Sequence, residues 1–64
     1  MAHIISKRGS IDNQITYEHY CDTIADMSNI DKSTITLGSI CIVINGTDGL
    51  EAYIADSNKE WHAM

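Results

Sequence analysis

Leu37-Gly-Ser-Ile-Cys-Ile-Val-Ile-Asn-Gly-Thr-Asp-Gly-Leu-Glu-Ala-Tyr-Ile-Ala-Asp-Ser-Asn-Lys-Glu-Trp61 is the stretch that decides the fold. It divides into a strand, a glycine turn, a second strand, a polar turn and a short third strand that opens at the only tryptophan. Within 37–44, Ile40, Cys41, Ile42, Val43 and Ile44 are all apolar, so this strand wants cover on both faces. Asn45-Gly46 and Asp48-Gly49 mark the hairpin loop, since glycine supplies positive φ readily. In a return strand over 50–55, Leu50, Ala52 and Ile54 share one face and Glu51, Tyr53 and Ala55 the other. Asp56-Ser57-Asn58 turns the chain again, and a last strand covers 60–63. There the Trp61 indole can lie across the hairpin and donate its N–H at the rim. The pattern predicts a small antiparallel β-meander.

Upstream, residues 16–27 carry Tyr17, Tyr20, Cys21, Ile24, Ala25 and Met27 at three- and four-residue spacing, one stripe of an amphipathic helix. Thr16 is the natural N-cap and Glu18 suits the positive end of the helix dipole. Glu18, His19, Asp22, Thr23 and Asp26 fall largely on the opposite, solvated face. Ser28-Asn29 ends the helix, and 28–36 is a polar connector pinned by Ile30 and Ile35. A helix this short has to lie on something. Residues 1–15 show no sustained period. Gly9-Ser10 breaks the run and Asp12-Asn13 suggests a turn, so this segment reads as an extended arm. The expected class is α+β: an N-terminal arm (1–15), then a small domain (16–64) with one helix packed on the meander.

Sixty-four residues make one small domain with a marginal core. The chain has no phenylalanine, one tryptophan and three tyrosines, but isoleucine is abundant. Part of that apolar surface is therefore expected to be completed by another chain, and a homo-oligomer is one solution. The net charge of −5 argues against a phosphate-backbone binder, so no nucleic acid partner is expected. Residues 1–10 contribute +2 through Lys7 and Arg8, leaving −7 for the rest. Such a basic arm suits an acidic neighbour. No apolar run approaches membrane-spanning length and no signal-peptide pattern opens the chain, so synthesis in the cytoplasm is expected, with no membrane partner. Cys21 and Cys41 do not make a disulfide framework and read as small buried hydrophobes.

Candidate chemistry is sparse. His19, Cys21, Cys41 and His62 are soft ligands without the paired spacing of a structural zinc site. Asp22 and Asp26 form a solvated acidic face rather than a catalytic pair. Asn45-Gly46-Thr47 fits an N-glycosylation pattern, yet the same residues are explained as a hairpin turn. No acid, base and nucleophile converge, so no enzyme, no metal and no cofactor are expected. The candidate partner-binding residues are Ile4, Ile5, Lys7, Arg8 and Ile11 on the arm, with Trp61 as an interface anchor.

The pattern Leu37-Gly-Ser-x-Cys-x-Val, a glycine turn, Leu50-Glu-x-Tyr-x-Ala-Asp-Ser and Lys59-Glu-Trp61 resembles small proteins of the head modules of tailed bacteriophages. Ile15-Thr-Tyr-Glu-His-Tyr-Cys-Asp-Thr-Ile-Ala-Asp-Met belongs to the same likeness, which covers roughly residues 15–61. Genes of this group lie near that of the major capsid protein. The resemblance implies a virion structural protein, of decoration or head-fibre-base type, on the capsid exterior. Its partners would be the major capsid protein or other virion subunits. A small acidic regulator or inhibitor of a host protein, and a tail or baseplate part, are the alternatives.

Overall fold

The computed structural model describes residues 3–64. Five strands form one sheet in the order β1-β2-β3-β4-β5. They are β1 (His3–Ile11), β2 (Gln14–Cys21), β3 (Ile40–Gly46), β4 (Gly49–Ala55) and β5 (Trp61–Ala63). Neighbours are antiparallel except β2 and β3, which run parallel. Parallel strands need a crossover. Residues 22–39 supply it through the five-residue helix α1 (Ile24–Ser28) and a 3-10 turn at Lys32–Thr34.

The α+β expectation is thereby corrected: the chain is mainly β, with a mixed sheet and one short helix. The amphipathic helix expected over 16–27 is strand as far as Cys21. Its cap is Thr23, not Thr16: the Thr23 hydroxyl accepts from Asp26 N at 3.3 Å, and the Asp26 carboxylate accepts from Thr23 N at 3.3 Å. The reason is that the same residues also satisfy a period of two. Tyr17, His19 and Cys21 alternate with Thr16, Glu18 and Tyr20, and a strand here gains ladders on both sides, to β1 and to β3. An isolated short helix has no such support.

The arm expected over 1–15 is corrected with it. His3–Ile11 pairs with β2 from end to end apart from Arg8, through a hairpin turn at Asp12 and Asn13 (φ 53° and 66°). Positive φ at both central residues is the signature of a type I′ turn, which Asp and Asn tolerate better than other side chains. Met1 and Ala2 of that arm lie outside the described residues.

One face of the sheet is closed by the crossover. Cys21, Cys41, Val43 and Ala55 bury there against Met27, Ile30 and Ile35, with Ile24, Tyr53 and Trp61 at the border. The entry to β3 is tight. Gly38 sits at φ 86°, and a Cβ placed on it would come within 2.5 Å of Ile11 Cδ1. Ser39, fully buried, accepts from Tyr17 N (3.1 Å) and Thr36 N (3.2 Å). Thr36 Oγ1 donates to Ile15 O at 2.6 Å, so the Ser39 hydroxyl donates to Thr36 Oγ1 across 2.8 Å. This closed network ties β2 to the start of β3 with every member satisfied.

Candidate functional site: an edge strand and an open sheet face

β1 is an edge, since β2 is its single neighbour in the sheet. Its register pairs Ile4 with Tyr20, Ile5 with His19, Lys7 with Tyr17 and Ile11 with Gln14. A shift between Lys7 and Gly9 leaves Arg8 as the extra residue of a bulge. The Arg8 Nε lies 3.4 Å from Glu18 Oε1, and the Tyr20 hydroxyl donates to Glu18 Oε2. That bond to a carboxylate raises the Tyr20 phenol above its ordinary value. Ile4, Ile5 and Ile11 are exposed. The strand thus presents apolar side chains, two cations and a free row of backbone groups at one rim of an acidic molecule.

Five of the six candidate partner-binding residues (Ile4, Ile5, Lys7, Arg8 and Ile11) stand together on β1, whereas Trp61 lies on β5 at the far side of the sheet. Trp61 is only part-exposed. Its indole meets the buried His19 ring edge-on, with centroids 5.8 Å apart, and its Nε1 is buried without an acceptor rather than donating at a rim. His19, assigned from the sequence to a solvated helix face, is fully buried, and its Nε2 donates to the Thr34 carbonyl at 2.9 Å. The ring pins the crossover to the sheet. The overlooked signal is the alternation of Tyr17, His19 and Cys21.

The second feature is the face that the crossover leaves open. Residues next to the buried Cys41 and Val43 point the opposite way. Across the strands, Ile4, Tyr20, Ile42 and Ala52 form one row, and Glu18, Ile40, Ile54 and His62 form the next. Ile44 and Leu50 continue the face towards the hairpin tip, both exposed. The adjacent isoleucines of β3, which call for cover on both sides, receive it on one.

The remaining polar clusters are bonded internally. Cys21 and Cys41 are both fully buried free thiols, and Cys41 Sγ donates to Cys21 Sγ at 3.6 Å. Burial, reinforced by the neighbouring Cys21, pushes the Cys41 thiol up to about 12, so it is no nucleophile at neutral pH. Asp56, Glu60 and His62 bring one potential ligand atom each to within 4.8 Å of one another. Both Asp56 oxygens are already engaged: Oδ1 accepts from Asn58 N (2.8 Å) and Glu60 N (3.0 Å), and Oδ2 accepts from His62 Nε2 at 2.6 Å. The trio is a clasp on the β4–β5 turn. A cavity of about 290 Å³ near the β1–β2 turn is lined by Ile11, Gln14, Ile35 and Lys59 among others. Lys59 Nζ is committed there to the carbonyls of Lys32 (3.0 Å) and Ile35 (3.2 Å). No family model matches the chain, and neither a curated protein nor a solved structure matches it significantly.

Proposed function

We propose that this chain is a non-enzymatic virion structural protein that binds the capsid surface through β1. The observation that carries the reading is the nine-residue edge strand with exposed Ile4, Ile5 and Ile11 and the basic pair Lys7-Arg8. Edge strands recruit other chains by extending the ladder, while side chains on alternate sides select the partner. An acidic rim on the major capsid protein or another virion subunit suits this strand, and repeated copies on a lattice compensate for a small contact. The head-module resemblance supplies the virion setting; the edge supplies the means.

The experiment is quantitative mass spectrometry of gradient-purified phage particles, with this chain scaled to the major capsid protein. A lattice-like ratio that collapses in the Lys7→Glu/Arg8→Glu double variant is the expected result. Absence of the wild-type chain from particles, while it is plentiful in the lysate, overturns the virion reading and favours a regulator of a host protein.

A further inference from the structure

We infer that the open isoleucine face is where two copies of this chain join, sheet against sheet, around a two-fold axis. The surface shares Ile4 and Arg8 with the β1 edge assigned to capsid binding, but its centre lies on β3 and β4, so substitutions there test it separately.

The first argument is composition by row. Ile4, Tyr20, Ile42 and Ala52 lie side by side in register, and Ile40 and Ile54 sit next to them. Ile4, Ile44, Ile54 and Leu50 are all exposed on a face over which none of the described residues forms a layer. Packed sheets sit about 10 Å apart with interdigitated side chains, which is the layer missing here.

Charge is the second argument, and it selects the occupant. Each copy carries −5, so two copies repel except where acids are absent or neutralised. On this face the acids lie at the margins: Glu18, which Arg8 faces at 3.4 Å, and Asp56 and Glu60 beside His62, with Asp56 accepting from His62 Nε2 at 2.6 Å. Glu51 belongs to the opposite side, paired with Val43 and holding the Tyr53 hydroxyl at 2.6 Å. The centre of the face, Ile40, Ile42, Ala52 and Ile54, thus carries no charge within an acidic chain, which suits a second copy and gives a charged partner nothing to recognise there. Arg8 and Glu18 at one margin also let a two-fold mate place cation against anion.

Area is the third. Specific interfaces begin at about 600 Å² per partner, roughly a seventh of the 4018 Å² surface of this chain. Five strands spaced by about 4.8 Å, and about seven residues long at 3.3 Å each, give a footprint of roughly 450 Å² before side-chain relief is added. That flat footprint is about three quarters of the minimum, and accessible area exceeds a flat footprint where side chains such as Ile4, Ile44 and Leu50 project from it. An isologous contact uses the same patch twice, so no second surface has to be found.

The test is sedimentation equilibrium of the intact chain over a concentration series, with Ile54→Lys and Ile42→Lys beside the wild type. The wild type is expected at twice 7.1 kDa, with each substitution weakening the dimer about a hundredfold or more. Ile54 is exposed, so its substitution leaves the fold intact, which far-UV circular dichroism checks. Mixed-label NMR supplies a readout independent of stability: methyl contacts between Ile40, Ile42 and Ile54 of different copies are expected. A species of 7.1 kDa at every concentration overturns the inference. So does a dimer that survives both substitutions but dissolves in the Lys7→Glu/Arg8→Glu variant, because that dimer forms through β1.

Discussion

Ser39 shows how much a single hydroxyl can hold in a core this small. It takes two backbone N–H groups and gives its own proton to Thr36, so its removal leaves donors from two segments without a partner. Ser39→Ala should lower unfolding free energy by about 2 kcal/mol, measured by urea denaturation. A loss within experimental error would mean the network contributes little. Cys21 and Cys41 work differently, as close-packed hydrophobes whose thiols are held protonated. Their reaction with a disulfide reagent should be limited by opening of the fold and should accelerate sharply in denaturant. A native-state rate like that of a free cysteine would contradict the burial.

At the scale of elements, the β1–β2 hairpin is the decisive unit, because it turns an apparent arm and an apparent helix into strands. Its turn places Asp12 and Asn13 at positive φ. Glycine reaches that region without the steric penalty that other residues meet. Asn13→Gly is therefore expected to stabilise the protein by about 0.5 kcal/mol, read as a raised thermal midpoint. Destabilisation by the same change would show that the Asn side chain is needed and the turn assignment is incomplete. Removing β1 altogether is a poor probe of attachment, since β2 would lose a full ladder along with any docking edge. Charge reversal at Lys7 alone, which leaves the Arg8–Glu18 contact in place, separates the two effects.

For the whole molecule, acid is the informative stress. Asp31 is held below its ordinary value by the backbone N–H of Ser33, Glu51 by the Tyr53 hydroxyl, and Asp56 by His62. Each carboxyl has a lower pKa folded than unfolded, so the unfolded chain takes up the proton first as pH falls. Their stabilisation is present above the ordinary values of 3.8 and 4.5, and is lost as pH drops through the depressed folded values. The thermal midpoint should therefore be level near neutrality and decline below about pH 4, by a modest amount because Asp31 is exposed and Glu51 and Asp56 are only half-buried. A midpoint that rises on acidification would reverse the sign and exclude these contacts as net stabilisers. Self-association would add a second signature, a midpoint that climbs with protein concentration.

Local pattern decided the C-terminal half. Glycine turns and alternation place β3, β4 and β5, because hairpin register is set by residues close in sequence. The double-sided apolar run of β3 also called for cover on both faces, and the crossover supplies it on one. Between Gln14 and Met27 the same side chains fit a helical stripe and a strand alternation, and local spacing leaves both open. Tertiary contact resolved it: β2 lies between β1 and β3, and its pairing with β3 is parallel, across the crossover of residues 22–39. A pairing that distant in sequence leaves no mark on spacing. It also carried His19 into the core, joined Ile4 and Tyr20 to the isoleucines of β3 and β4, and made β1 an edge. The residues of the candidate surfaces were legible one by one. Their assembly into an edge and a face was the work of strand pairing between segments far apart in the chain.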